Sequence, residues 1–106
     1  MHEKMKTILK LTILAISLYA TTASAMDGNL LKKYLELVDS VYMDVATGYI
    51  IAIDDTSTHC YPEGVTVEQE LDIVLQFLNS HPESRHQHAA TLIRSALTNA
   101  FPCDKK

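Results

Sequence analysis

The sequence predicts an all-α fold, a small bundle of about four helices stapled by one disulfide. After residue 28, apolar residues recur at helical spacing over most of the chain, which is typical of helices with one buried face. The chain has only three glycines and three prolines, too few for the many tight turns of a β-sandwich or barrel. Its 106 residues provide one hydrophobic core but not two.

Residues 1–25 have the three parts of a secretory signal peptide. Three lysines within the first ten residues surround the start of the apolar run Thr7–Leu18, and the small residues Ala23–Ala25 supply a cleavage site. This run is shorter than the ~20 apolar residues that span a bilayer, so we expect a cleaved leader rather than a membrane anchor. Met5 is an alternative start of the leader. The predicted domain is residues 26–106.

The charge of the exported part, residues 26–106, excludes two classes of partner. It contains six basic and twelve acidic side chains, a net charge of −6. Nucleic acids and anionic lipid surfaces attract clustered lysine and arginine, so we expect no nucleic acid and no membrane as a partner. The negative electrostatic field of this part of the chain favours partners with a cationic protein surface.

Both cysteines, Cys60 and Cys103, lie in the exported part. In an oxidising compartment, two thiols most simply form one disulfide. Two free buried thiols and an intermolecular bridge are the alternatives. Closing a loop of about 44 residues would stabilise the fold by roughly 4 kcal/mol, a large contribution for so small a domain.

The first two predicted helices follow the leader. One amphipathic helix is expected over residues 29–45, capped by Asp27 or Asn29. The apolar segment at 48–53 is compatible with a short strand, but a lone strand has nothing to pair with here. We therefore expect a second, central helix over residues 47–57. Gly48 would permit a close approach of helices or a break between these two.

Turn residues mark the limits of the third and fourth predicted helices. Pro62 and Gly64 form a turn, and Thr66 with Gln69 has the spacing of a capping box that opens a helix over 67–79. Pro82 ends that helix and opens the next element.

The fourth helix is expected to begin at Glu83 or Gln87 and to end at Ala100, where Pro102 stops it. The side chains expected to face the core from these two helices are Val67, Leu71, Val74, Leu75, Leu78, Ala89, Leu92, Ile93, Ala96, Leu97 and Phe101.

The candidate catalytic and metal-binding side chains do not form a pattern that chemistry requires. His81, His86 and His88 are spaced by five and two residues, whereas neighbouring helical metal ligands need spacings of three or four. The adjacent carboxylates at 54–55 diverge on a helix, and a disulfide would consume the Cys60 thiol. We expect no enzyme, no metal and no cofactor, and a protein that acts by binding.

Four short motifs then carry a resemblance to a known family. They are the GY segment at 48–49, CYPEGVT at 60–66, HPESRH at 81–86 and AFPC at 100–103. In this order they resemble the Rap/Tai immunity family of type VI secretion, over about 56 positions that make up most of the exported part.

The resemblance implies a periplasmic immunity protein. Its expected partner is a cognate secreted peptidoglycan amidase with a Cys-His active site, whose substrate cleft the immunity protein occludes to protect the producing cell and its kin. The resemblance also implies a homodimer. The competing interpretation is a small periplasmic acid-stress chaperone that binds unfolded clients, although such chaperones tend to be richer in lysine.

A segment that enters an enzyme cleft has to be exposed and rigidly mounted, as loops between packed helices are. Two such segments are expected, one after the central helix and one at the turn after the third helix. Their carboxylates would steer the encounter with an electropositive partner. The expected partner-binding residues are Asp54, Asp55, Ser57, Ser80, Glu83 and Ser84.

A second set of residues is expected to shape turns rather than to bind. In this set Arg85 is expected to pair with a nearby acid and His86 to bond to the backbone. The complete set is Gly48, Pro62, Gly64, Pro82, Arg85, His86 and Pro102.

Overall fold

The computed structural model describes residues 25–58 and 60–103, and in these ranges the chain forms four α-helices, one 3-10 helix and no strand. The α-helices are α1 (Gly28–Glu36), α2 (Val41–Asp55), α3 (Val67–Ser80) and α4 (Ala89–Ala100). The 3-10 helix Pro82–Ser84 lies between α3 and α4. The predicted all-α fold is confirmed. Residues 1–24 of the predicted signal peptide lie outside the described residues. None of the helices within the described ranges has the length and apolar character to cross a membrane.

The four helices share one core. α1 packs against α2 and α3, and α4 packs against α3 and α2. Every core residue predicted for the fourth helix is buried apart from Phe101, which is half-buried at its end. In α3 the prediction is wrong for Val67, which is 38% exposed in the first turn, and Leu75 is half-buried. The buried apolar side chains are Leu31, Leu35, Ala46, Ile50, Leu71, Val74, Leu78, Ala89, Leu92, Ile93, Ala96 and Leu97.

Two of the helices, α1 and α3, begin at side-chain caps that the sequence predicts. The Asp27 carboxylate accepts a hydrogen bond from the Leu30 backbone N–H at 2.8 Å. The Thr66 hydroxyl accepts one from the Gln69 N–H at 3.2 Å, as half of a capping box requires. Each bond satisfies one of the backbone donors that a first helical turn leaves without a partner.

The predicted helix over 29–45 is wrong, because the chain breaks between Glu36 and Val41. Asp39 adopts a left-handed backbone conformation with φ of 58°, which ends the helical path. Ser40 then caps α2, its hydroxyl accepting from the Met43 N–H at 3.3 Å and donating to the Leu37 carbonyl. The predicted central helix is therefore the second half of a longer helix that begins at Val41.

The predicted role of Gly48 is also wrong. Gly48 lies inside α2 on an exposed face, and a Cβ added there would meet no atom within 4 Å. It neither breaks the helix nor brings another helix close. Gly28, the first residue of α1, permits the close approach that was expected at Gly48. A Cβ added at Gly28 would lie 2.4 Å from Leu92 Cδ1 and 2.9 Å from the Arg85 carbonyl oxygen.

These two glycines form a matched pair for a stability measurement. We expect Gly48→Ala to raise the free energy of unfolding by about 0.5–1 kcal/mol, because alanine loses less conformational entropy in a helix. We expect Gly28→Ala to lower it by about 1–3 kcal/mol, because the added methyl group collides with packed neighbours. Urea denaturation of both variants measures the two changes, and a stabilised Gly28→Ala protein would contradict the packing described here.

Candidate functional site

The loop between α2 and α3 is fixed to the end of α4. Cys60 and Cys103 form the predicted disulfide, with their Cα atoms 4.9 Å apart. The Cys60 backbone N–H donates to the Phe101 carbonyl at 3.3 Å. The Tyr61 ring meets the Phe101 ring edge to face, with centroids 4.8 Å apart. This end of the bundle is therefore held by a covalent bond and by noncovalent contacts beside it.

Tyr61 also connects this loop to two carboxylates. Its hydroxyl donates to Asp54 Oδ1 at 2.8 Å. Burial, together with side-chain hydrogen bonding to Glu70 and Asp54, raises the pKa of Tyr61 well above its usual range. The phenol therefore stays protonated in the folded protein. Asp54, expected to contact a partner, is half-buried and accepts this internal hydrogen bond.

Tyr61→Phe tests this connection. We expect the substitution to lower the free energy of unfolding at pH 7 by about 1–3 kcal/mol, because a hydrogen bond to a charged group is lost. In the parent, the unfolded phenol loses its proton near pH 10 while the folded phenol keeps it. The parent's stability should therefore fall as the pH rises above about 10, and the fall should be smaller in Tyr61→Phe. Equal pH profiles would contradict the role of Tyr61.

The first predicted contact segment, at the end of α2, presents fewer free groups than expected. Asp55 is exposed. Ser57 is half-buried, with its hydroxyl donating to the Ile53 carbonyl at 2.6 Å and its backbone N–H donating to the Asp54 carbonyl at 3.0 Å. We define Asp55 and Thr56, both exposed, as the α2 tip. Asp55 is the carboxylate best placed there to meet a partner.

The second predicted contact segment, at the 3-10 helix, is rigidly mounted. Ser80 and Glu83 are exposed, and Ser84 is half-buried with its backbone N–H donating to the His81 carbonyl at 3.1 Å. The His81 ring stacks on Phe77 with centroids 4.1 Å apart, and its Nδ1 lies 2.8 Å from the Phe77 carbonyl oxygen. We define residues 80–84 as the 3-10 tip.

The chain after the 3-10 tip is bonded to the start of α1. The Asn29 N–H donates to the Arg85 carbonyl at 3.0 Å, and the Gly28 N–H donates to the Gln87 carbonyl at 3.1 Å. The Ala89 N–H donates to the Met26 carbonyl at 2.9 Å. Three backbone hydrogen bonds thus hold the segment 85–89 against α1, which supports a structural role for this turn.

The predicted side-chain partners of Arg85 and His86 are wrong within the described part of the chain. Arg85 forms no ion pair with any residue there, and its buried Nε atom has no acceptor there. His86 is exposed, and its ring makes no hydrogen bond to the backbone described. The turn is shaped by the backbone bonds of Arg85 and Gln87 and by Gly28, not by these side chains.

The two tips lie at opposite ends of the bundle. The α2 tip adjoins the disulfide, and Tyr61 connects that end to Asp54 and to Glu70 in the first turn of α3. The 3-10 tip follows the last residue of α3. Because α3 has 14 residues, roughly 20 Å of helix separates its two ends. The structure does not bring the predicted contact residues together into one surface.

An exposed apolar surface lies where α1 meets α2. Val38 is 66% exposed and Val41 67%, and Tyr42 and Val45 are each about half exposed. The Tyr42 ring packs beside Tyr34 of α1, with centroids 5.1 Å apart. We call Val38, Val41, Tyr42 and Val45 the apolar corner. Exposed apolar side chains that are close in sequence, as these are, make this corner a candidate protein interaction site. The sequence does not reveal this surface, because these residues continue the helical spacing of the core positions.

A basic groove lies between α1 and the turn that contains Arg85. It has a volume of about 280 Å³ and is lined by Asn29, Lys32, Lys33, Glu36 and Arg85. Lys32 pairs with Glu36 one helical turn away. The sequence analysis also missed this groove, because Arg85 is distant from α1 in sequence and reaches it through the backbone bonds of the turn.

Within the described ranges, the side chains considered for metal binding or nucleophilic catalysis do not form a site. No three His, Cys, Asp or Glu side chains in the described ranges are grouped to hold a metal ion. His81, His86 and His88 are not brought together into one site, and the Cys60 thiol is consumed in the disulfide. The structure offers instead two acidic tips, an apolar corner and a basic groove on a disulfide-stapled helical bundle. This is the class of small, disulfide-bonded helical bundles.

Comparison with known families identifies the class more closely. Residues 17–103 match the family model of the Rap1a immunity proteins, and the chain belongs to that family. Comparisons with curated proteins and with solved structures gave no match. The Rap/Tai resemblance in the sequence is thereby confirmed. Membership supports an immunity role, implies that the protein binds a cognate effector, and places the chain in a generally non-enzymatic family.

Proposed function

We propose that this protein is a non-enzymatic immunity protein of the periplasm, exported by its signal peptide. It binds a type VI secreted peptidoglycan amidase and occludes the Cys-His active-site cleft, which protects the producing cell and its kin. Family membership over residues 17–103 is the observation that carries the immunity role. The amidase and the compartment are supported by the motifs, the leader pattern and the disulfide.

The surface of the bundle supports an occluding mode of action. The 3-10 tip is exposed at Ser80, Pro82 and Glu83. The backbone bonds of Arg85 and Gln87 hold the adjoining chain against α1, so a cleft that accepts the tip meets a preformed shape. The carboxylate of Glu83 on this tip and that of Asp55 on the α2 tip are both exposed. Because residues 26–106 carry a net charge of −6, the carboxylate of whichever tip enters the cleft favours an electropositive rim around it.

The experiment is co-purification followed by a peptidoglycan-cleavage assay. The probe is the product of an adjacent gene that encodes a small Cys-His amidase, and the control is an amidase from an unrelated locus. We expect a stable complex with the first enzyme and complete loss of its cleavage at equimolar ratio. An adjacent amidase that stays fully active in excess immunity protein would overturn the proposal.

We also infer that the protein forms a homodimer through the apolar corner. Burying Val38, Val41, Tyr42 and Val45 against the same residues of a second copy removes this apolar surface from water.

Val41→Asp should therefore yield a monomer in size-exclusion chromatography with light scattering. Val67→Asp is the matched control, because Val67 is also an exposed valine in the first position of a helix. A parent protein that is monomeric at high concentration would contradict the inference.

A further inference from the structure

Most of the lysine and arginine side chains in the described part of the chain line the basic groove. The described part of the chain has four basic residues, and three of them, Lys32, Lys33 and Arg85, line this groove. The fourth, Arg94, is exposed on α4 and is not part of it. Within the described residues, the basic groove is therefore a local site whose charge is opposite in sign to the net charge of the protein.

Two of the three cations in the groove lack a partner within the described residues. The Glu36 carboxylate pairs with Lys32, which leaves Lys33 and Arg85 without an ion pair there. The Arg85 side chain is half-buried, and its Nε atom is fully covered yet donates to no acceptor in the described ranges. A partly desolvated guanidinium of this kind is costly unless an anion compensates it.

The backbone holds Arg85 in place independently of any ligand. Its carbonyl accepts the Asn29 N–H, the neighbouring Gln87 carbonyl accepts the Gly28 N–H, and Gly28 packs directly against the Arg85 backbone. The Cα atoms of Arg85 and of α1 therefore keep their spacing. The site is preorganised, which lowers the entropy cost of binding.

We propose that the basic groove binds a pair of neighbouring carboxylates on the surface of the effector, which rests on the proposed function. The planar fork of Arg85 matches a carboxylate, and Lys33 supplies a second charge for the other. A polyanion such as nucleic acid or an anionic membrane would face repulsion from the rest of an acidic chain. An acidic side-chain pair on a protein is small enough to use the groove alone.

The first experiment needs no effector. A blocked tetrapeptide with two adjacent aspartates is titrated into the 15N-labelled protein and followed by NMR. We expect saturable shifts at the amides of Asn29, Lys33 and Arg85, with a millimolar Kd. Lys33→Gln should weaken binding by about fivefold, as should Arg85→Lys, which keeps the charge but removes the planar fork. Arg94→Gln, the matched control, should change nothing.

Two results of this titration would overturn the site. One is the absence of saturable shifts around the groove. The other is an equal loss of peptide affinity in Lys33→Gln and Arg94→Gln. Such a result would reflect the overall charge of the protein and not the groove. Melting curves of each variant establish that the protein is folded, and Lys33, being exposed on α1, keeps the test valid if an Arg85 variant unfolds.

The second experiment measures the affinity of the adjacent amidase for the same variants. We expect Lys33→Gln to weaken the complex by about fivefold and Arg94→Gln to leave it unchanged. If the parent binds the amidase and both variants bind equally well, the groove does not contact the effector while the proposed function stands. If the parent does not bind the amidase, the proposed function fails, and the peptide titration still decides whether the groove binds carboxylates.

Discussion

Replacing both cysteines, Cys60→Ser with Cys103→Ser, should lower the melting temperature by more than about 10 °C. The bridge spans a sequence separation of 43 residues, and loss of a native disulfide typically costs about 2–5 kcal/mol. In a domain this small, each kcal/mol shifts the melting temperature by about 4–8 °C. Thermal denaturation followed by circular dichroism measures the change, and the double variant avoids a free thiol that forms intermolecular bridges.

Two controls separate the contribution of the disulfide to stability from that of the noncovalent contacts beside it. The parent protein under reducing conditions should melt close to the double variant, because both lack the same bond. Tyr61→Phe removes the hydrogen bond to Asp54 at the same end of the bundle while the disulfide stays intact. A parent that melts at the same temperature with and without reductant would show that Tyr61, Phe101 and the Cys60 backbone bond hold this end without the disulfide.

The fold could be predicted where the apolar residues spaced along one helix face are also the residues buried in the core. In α4 the apolar residues 89, 92, 93, 96 and 97 are spaced for one face, and all five are buried. Between residues 37 and 45 the same spacing continues, but Val38 and Val41 are about two-thirds exposed. Periodicity shows which residues share a face and does not show what covers that face. A helix break at Asp39 was therefore hidden inside an apparently continuous pattern.

The candidate site was less predictable, because its parts depend on contacts between distant segments. Arg85 was expected to find an acid nearby, as a charged residue in a turn usually does. The backbone bonds from Asn29 to Arg85 and from Gly28 to Gln87 instead place it against α1 beside two lysines. Asp54 was expected to project into solvent and instead accepts a hydrogen bond from Tyr61. Neither contact can be recognised from the spacing of residues along the sequence.

Charge reversal at the two tips should identify the segment that enters the amidase cleft. The tips lie at opposite ends of α3, roughly 20 Å apart along the helix, so one cleft accepts one of them. We expect either Asp55→Lys or Glu83→Lys, but not both, to reduce the association rate constant about tenfold at low salt. The affected complex should also lose most of its salt dependence, because the steering charge is gone. Stopped-flow fluorescence over a range of salt concentrations measures both effects.

The stability of these variants provides an internal check on the binding result. Asp55 is the last residue of α2, where a carboxylate opposes the helix dipole. Asp55→Lys should therefore stabilise the fold by about 0.3–1 kcal/mol, so slower binding by this variant is not explained by unfolding.

The contrasting variants are Glu68→Lys and Asp72→Lys, whose carboxylates are exposed on α3 between the two tips. If both tip variants bind and protect like the parent while a variant of α3 abolishes protection, the effector contacts the face of α3 and neither tip occludes the cleft.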